Sequence, residues 1–294
     1  MTLTARIGFV QSSPVFGDPA ANRERLLEQA GRVEADVIVL PELCHTGYVF
    51  RSPDELAELA ESIPGGPTCQ ALLDLARRRG AVIVAGICER AGPRFFNSAA
   101  VLGPQGLIGT YRKIHLFKDE KVWFAPGDEP PPVFAAGGFK LGVMICFDWR
   151  FPEVSRILAL GGADMIAHPS NLVMPYCQEV MRARCIENRV FAVTANRVGT
   201  DARPDGARET FTGQSQVVDP EGQVLVRAAA DRTAEAAVEI DLAEARRKQV
   251  NARNDLLADR RPELYAALVA ERQEGAPRPA GEVRSAPRRH RPAE

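Results

Sequence analysis

The chain has 294 residues, 45% of them hydrophobic, enough to bury a sizeable core as one large domain or two small ones. Its 37 basic side chains against 38 acidic ones leave a formal net charge of −1, which excludes an electrostatic footprint for nucleic acid or an anionic membrane and points to a small-molecule partner. No apolar signal core opens the chain, and no stretch approaches the ~18 to 20 apolar residues of a membrane span, so a cytoplasmic protein is expected. Six cysteines, at 44, 69, 88, 146, 177 and 185, lack any CxxC pair or metal-finger spacing and predict a reduced protein without disulfides.

In chain order, strands are predicted at 5–11, 36–40, 81–88 and 98–102, followed by a Gly-Pro-Gln-Gly turn and a return strand at 107–111. Between them lie a helix at 22–33, with Leu26, Leu27, Ala30 and Val33 on one face, the capping box Ser52-Pro53-Asp54-Glu55, and a helix at 68–79. A second set of strands follows at 139–145, 164–168, 190–196 and 215–218, with helices at 152–160 and 176–188. It ends in an Asp-Pro-Glu-Gly turn and a return strand at 223–227. Strand by strand the halves correspond, down to the Pro-x-Gly hairpin turns at 104–106 and 220–222. Alternation plus duplication predicts an α/β fold, a four-layer α-β-β-α sandwich with an internal pseudo-two-fold duplication. The expected domain spans 1–271, with a further helix in 242–270. Residues 272–294, with four prolines and six arginines against three glutamates, are expected to form a disordered tail.

The chemistry concentrates at three strand ends. Val143-Met144-Ile145 stops abruptly at Cys146, and Pro152-Glu153 then starts a helix. A thiol at such a junction sits near free N–H groups that can lower its pKa and bind an oxyanion. Taken alone, it reads first as a small buried hydrophobe, and two other segments reverse that reading. The apolar run 36–40 delivers Glu42 to its carboxyl end, where α/β sheets bind ligands and where packing rarely explains a charge. Gly109-Thr110-Tyr111-Arg112-Lys113 ends a third strand in basic charge, with Lys113 as the site candidate.

Glu, Lys and Cys at these positions resemble the nitrilase superfamily, the carbon–nitrogen hydrolases. The resemblance covers about 5–270 through VIVLPELCHTGY, GTYRKIHLF and GVMICFDWRFPE, in the family's order. YRKIHLFKDEKVWFAPGD and HPSNLVMP are most similar to thermophilic nitrilase and amidase members. The residue types suit the implied roles. A cysteine of pKa ~8.5 needs a base, which Glu42 supplies, and Lys113 stabilises the charge that develops when the thiolate adds to an amide carbonyl or nitrile carbon. The resemblance implies that the Phe147 N–H completes the oxyanion site and that Glu120 is a second glutamate holding Lys113. Read without the resemblance, Glu120 is a solvated charge among Lys118, Asp119 and Lys121. Trp149, Arg150 and Asn171 are candidates for shaping the pocket. Trp149 would be an apolar wall, and Arg150 would pair with a substrate carboxylate or with Glu153 or Glu187.

A Cys–His dyad using His115 or His168 is the rival assignment; both are expected to be structural because Glu42, Lys113 and Cys146 already account for the chemistry. Cys44-His45 has no second ligand pair at metal spacing, so neither metal nor cofactor is expected. The expected activity is hydrolysis of the C–N bond of a small amide to a carboxylic acid and ammonia through a thioester. A true nitrilase is the alternative, although such enzymes usually carry Trp-Glu where this chain has Phe147-Asp148. A non-catalytic interaction protein on the same fold is the reading from another class. The resemblance also implies a homodimer or higher oligomer across the helices that follow Cys146 and Tyr176.

Overall fold

The computed structural model describes residues 4–270, and the predicted tail at 272–294 lies outside the described residues. The chain divides into a large unit, Met1–Leu257, and a short one, Ala258–Glu294. In the large unit, β1 (Thr4–Gln11), β2 (Val37–Val39), β3 (Val82–Ala91), β4 (Arg94–Gly103) and β5 (Gly106–Arg112) build one sheet. The second sheet contains β6 (Val133–Ala136), β7 (Phe139–Val143), β8 (Met165–Pro169) and β9 (Phe191–Ala195). A small ribbon, β10 (Thr200–Ala202) with β11 (Arg208–Thr210), precedes β12 (Gln216–Val218) and β13 (Val224–Arg227), which return to the second sheet. The strand β14 (Ala234–Asp241) then crosses back to the first.

The two orders are β14-β1-β2-β3-β4-β5 and β6-β7-β8-β9-β12-β13. In each, three central strands run parallel and the outer pairs are antiparallel, so the predicted duplication is visible strand for strand. The outermost strands β6 and β14 were not foreseen. β6 has only four residues, and β14 is rich in alanine, whose small side chain gives little alternation of hydrophobicity.

Central parallel strands are covered on both faces, which is why β2 reads as an uninterrupted Val37-Ile38-Val39. Val37 and Val39 join Ile7, Phe9 and Val84 against Leu141, Val143 and Met165 of the other sheet. Ile38 faces the opposite way, packing with Val10 and Ile83 beneath Leu26 and Ala30 of α1 (Pro19–Arg32). Burying each such side chain contributes about 1.5 to 3 kcal/mol. The other helices are α2 (Pro53–Leu59), α3 (Pro67–Arg79), the single turn α4 (Glu120–Trp123), α5 (Pro152–Leu160), α6 (Cys177–Asn188) and α7 (Leu242–Arg246). Ser52 caps α2 by accepting from the Glu55 N–H at 3.1 Å, as its capping-box sequence predicts.

The helix expected in 242–270 is largely absent: α7 ends at Arg246, and the remainder contributes only the short 3-10 turns Pro262–Leu264 and Ala266–Leu268. The cause is local. The Asn251 carboxamide oxygen accepts from the N–H groups of Arg253 and Asn254, and this turn competes with helical hydrogen bonding.

Candidate active site

Glu42 lies just beyond β2, fully buried. The chain reaches there by passing closely over β3: a Cβ on Gly86 would stand 2.3 Å from the Glu42 Cα and 2.6 Å from the Pro41 carbonyl oxygen. Only glycine admits that approach. Leu43 then turns through the left-handed region at φ 45°, and the Cys44 N–H donates to the Gly86 carbonyl at 2.9 Å.

Lys113 directly follows β5, and its backbone N–H donates to the Asn97 carbonyl at 2.9 Å. Its buried Nζ donates to Glu42 Oε1 at 2.6 Å and to Glu120 Oε1 at 2.8 Å. Asn97 Nδ2 also donates to Glu42 Oε1, at 2.7 Å, so one strand residue fixes the backbone of the lysine and the side chain of the glutamate. Glu120, at the start of α4, accepts from the Tyr48 hydroxyl at 2.7 Å and from the Phe117 N–H at 3.2 Å.

Burial by itself would lower the pKa of Lys113, but the Glu120 and Glu42 carboxylates outweigh it and hold the ammonium charged. Burial raises the pKa of Glu120 against the pull of Lys113, with the Glu42 charge adding to the rise. One ammonium between two buried carboxylates leaves one negative charge uncompensated. Glu42 Oε2 is buried without a hydrogen-bond partner. Tyr48 stays a neutral donor, its pKa driven well up by burial and by Glu120.

Cys146 opens the 3-10 turn Cys146–Arg150 at φ 40°, a conformation costly for a residue with a Cβ and one that persists only when its surroundings enforce it. Asp148 supplies much of that enforcement. Its Oδ2 accepts from the Ile145 N–H at 2.9 Å and from the Tyr111 hydroxyl at 2.8 Å, and its Oδ1 lies 2.8 Å from His115 Nδ1. Tyr111 and His115 flank Lys113 by two residues on either side, so Asp148 ties the cysteine turn to the lysine segment. His168 faces the Cys146 carbonyl oxygen at 3.0 Å through Nε2 and Thr194 through Nδ1, and burial lowers its pKa to about 4. The imidazole is therefore neutral at pH 7 and contacts the backbone of Cys146. The Cys146 pKa is raised well above the ordinary thiol value, chiefly by burial and next by the Glu42 charge, while Lys113 and the Asn171 backbone N–H pull it down. At rest this is a thiol, which needs a base before it can attack.

The space beside Cys146 is lined by Phe117, Phe147, Trp149, Asn171, Leu172, Val173 and Met174 and is narrow, about 10 Å³, room for roughly one water. A larger cleft of about 450 Å³, lined by Thr4, Asp36, Val82 and Phe139, lies at the amino ends of the parallel strands, away from where such sheets place chemistry. Thus Glu42, Lys113 and Glu120 converge on one hydrogen-bonded cluster, and Cys146, Phe147, Trp149 and Asn171 share one cavity. Arg150 is not brought in: it is exposed, with its guanidinium 5.5 Å from the Trp149 ring centroid. Glu187, one of its expected partners, instead pairs with Arg184 at 3.0 Å. Among the described residues no group of three or more His, Cys, Asp or Glu side chains is arranged to hold a metal ion. All six cysteines are free and buried.

Four contributors escaped the sequence reading: Tyr48, Gly86, Asn97 and Asp148. Asn97 was the most legible, being a polar amide directly after the apolar pair Phe95-Phe96 in a buried strand. Asp148 was visible as a carboxylate two residues from a candidate nucleophile.

A family model described as carbon-nitrogen hydrolase matches residues 6–249. The chain is 47% identical over 263 residues to a protein of Pyrococcus abyssi named nitrilase, covering 88% of this chain and 98% of that one. It is 37% identical over 261 residues to an (R)-stereoselective amidase of Pseudomonas sp, covering 87% and 91%. Among solved structures, a mutant of the Nesterenkonia sp. AN1 amidase, showing Michael addition of acrylamide at the active-site cysteine, superposes with a TM-score of 0.75 at 27% identity, covering 90% of this chain and 99% of that one.

Proposed function

The chain belongs to the carbon-nitrogen hydrolase family, and from that premise we propose that it hydrolyses a small amide to a carboxylic acid and ammonia through a thioester on Cys146. The observation that carries the reading is the buried cluster in which Lys113 bridges Glu42 and Glu120 while Glu42 Oε2 has no partner. A carboxylate oxygen left unpaired in a dry site is a base awaiting a proton.

In the proposed cycle, Glu42 takes the proton of the Cys146 thiol, and the sulfur adds to the substrate carbonyl carbon. Lys113 Nζ and the Phe147 N–H hold the resulting oxyanion; each such donor is worth about 100- to 1000-fold in rate. Glu42 passes its proton to the nitrogen, the C–N bond breaks, and ammonia leaves. Water then gives a proton to Glu42 as its oxygen attacks the thioester, and the acid departs with the thiol restored. Glu120 acts by holding Lys113 and takes no proton from substrate.

The amide assignment rests on Phe147-Asp148 in place of Trp-Glu, and on the relatives named amidase alongside the one named nitrilase. The apolar walls Phe117, Trp149, Leu172 and Met174 suit a compact uncharged acyl group. The proposed setting is cytoplasmic, supported by six free thiols; no helix among the described residues is long and apolar enough to cross a membrane. A homodimer or higher oligomer is proposed on Ile157 and Leu160 of α5 and Tyr176 and Ile186 beside and on α6, all exposed. Sedimentation equilibrium returning a monomer would remove that part.

Cys146→Ala tests the mechanism. Ammonia release from a panel of paired amides and nitriles is expected to fall to background. Turnover surviving in the variant refutes the covalent route, and nitriles outpacing amides of the same acyl group in the wild type refutes the amide assignment.

A further inference from the structure

Asn171 stands out among the groups around Cys146. Its side chain is 3% exposed, and neither Oδ1 nor Nδ2 has a hydrogen-bond partner. A buried carboxamide with both ends unsatisfied costs free energy unless something else completes it. It lines the same cavity as the thiol, otherwise walled by Phe117, Phe147, Trp149, Leu172, Val173 and Met174. Those neighbours offer it no side-chain polar partner beyond Cys146 and the indole of Trp149.

The residue is also held in place. The Ser170 N–H donates to the Ala195 carbonyl at 2.8 Å, and the Leu172 N–H donates to Asn196 Oδ1 at 2.8 Å, so the backbone is pinned on both sides. The Asn171 backbone also helps pull the Cys146 pKa down, which sets this residue beside the thiol. A rigid, buried, unpartnered amide beside a nucleophile is preorganised for a ligand.

A primary amide presents one carbonyl oxygen and two N–H groups. The oxygen has its donors in Lys113 and the Phe147 N–H under the proposed mechanism. For the N–H groups the buried unpartnered acceptors are Glu42 Oε2, Asn97 Oδ1 and Asn171 Oδ1, and of these Asn171 Oδ1 belongs to the residue that lines the cavity with the thiol. A nitrile or an ester of the same acyl group has no N–H and leaves Asn171 Oδ1 unpaired. We propose that Asn171 is a specificity-determining residue whose carboxamide oxygen accepts a hydrogen bond from the substrate –NH2, selecting primary amides over nitriles and esters. The inference rests on the amidase reading, because it assigns a contact within that reaction.

The test compares wild type with Asn171→Leu on a primary amide and on the methyl ester of the same acid, with rates normalised to sites titrated by the ester's acyl burst. The amide kcat/KM is expected to fall about 10- to 100-fold, the range for losing one buried hydrogen bond, while the ester changes less than about threefold. Equal losses on both substrates overturn the assignment and make Asn171 a structural residue. Wild-type enzyme that turns over neither substrate overturns the parent reading instead, which separates the two failures. If the leucine variant does not fold, Asn171→Ser and Asn171→Ala take its place. Serine, which keeps an acceptor, is then expected to retain more of the amide-to-ester ratio than alanine; no difference between them overturns the proposal.

Discussion

The duplicated halves carry counterpart hydrogen-bond networks, around Asn97 in the first and Ser215 in the second, and the Ser215 network is chemically quiet. In the second half, Ser215 precedes β12 as Asn97 sits near the start of β4, and it binds the end of β1: its N–H and hydroxyl both donate to Gln11 Oε1, at 2.8 and 2.9 Å. Gln11 Nε2 donates to the carbonyls of Ala229 and Arg232, and Asn196 Nδ2 to the Gly213 carbonyl at 2.7 Å. These groups are neutral and find partners within the fold. The Glu42, Lys113 and Glu120 cluster, built by the first half, is ionic, holds more negative than positive charge, and leaves Glu42 Oε2 unpaired. The same topology thus ties strands together around Ser215 and leaves Glu42 Oε2 unpaired in the Asn97 network, while the thiol and the unpaired Asn171 come from the ends of β7 and β8. Fully paired networks rigidify, whereas unpaired buried groups are the ones available to react.

The strongest way to break this contrast is Lys113→Met. Two carboxylates then remain buried without their shared cation, and unfolding free energy is expected to drop by about 3 to 5 kcal/mol in urea titrations. Ammonia release should fall about 1000-fold or more as the oxyanion donor goes with it. Retained activity would remove the lysine from the chemistry. Next in size is Gly86→Ala, whose new Cβ would meet the Glu42 Cα at 2.3 Å. Displacing the proposed base by a fraction of an ångström to an ångström is expected to lower kcat about 100-fold with KM little changed. An unaltered kcat would show that the base tolerates displacement.

A paired substitution sharpens the comparison further. Asn97→Leu removes a buried amide with one side-chain hydrogen bond and Gln11→Leu one with four, and each is expected to cost about 1 to 3 kcal/mol of stability. Only the first should slow turnover, by about 10-fold and with a shifted pH–rate profile, because Asn97 touches Glu42 directly. If both variants lose activity alike, the two networks are not functionally distinct.

Much of this is legible in the sequence. Glu42, Lys113 and Cys146 could be found because each is a polar residue ending an apolar strand run, a pattern that periodicity exposes. The duplication was legible because turn chemistry repeats at 104–106 and 220–222. Gly86 was not: it lies within an apolar strand, and its need for a bare Cα arises from a crossing with residues 41–43 that only the fold creates. Asn97 and Tyr48 act across sheet and loop, at sequence separations of 55 and 72 from their partners. Arg150, by contrast, was placed near the pocket by adjacency to Trp149 in sequence, and a 3-10 turn sends neighbouring side chains in different directions. The helix expected in 242–270 is broken where the Asn251 side chain competes locally for the backbone.

The smallest effect concerns His168, silent at neutral pH. Its folded pKa is lowered to about 4 by burial, against about 6.5 for an unfolded histidine. As pH falls below about 6.5 the unfolded chain takes up a proton that the folded chain refuses until about pH 4. More protons bound in the unfolded state mean that stability declines with falling pH, so the contribution is whole above about 6.5 and lost through that window. His168→Gln, which keeps a donor for the Cys146 carbonyl, should flatten this acid slope while leaving turnover at pH 7.5 within about threefold of wild type. Urea midpoints at pH 7 and pH 4.5 measure it. Equal slopes in both proteins would mean that the imidazole is not held neutral, and a large loss of turnover at pH 7.5 would reopen the Cys–His dyad, because a merely anchoring histidine has no proton to move.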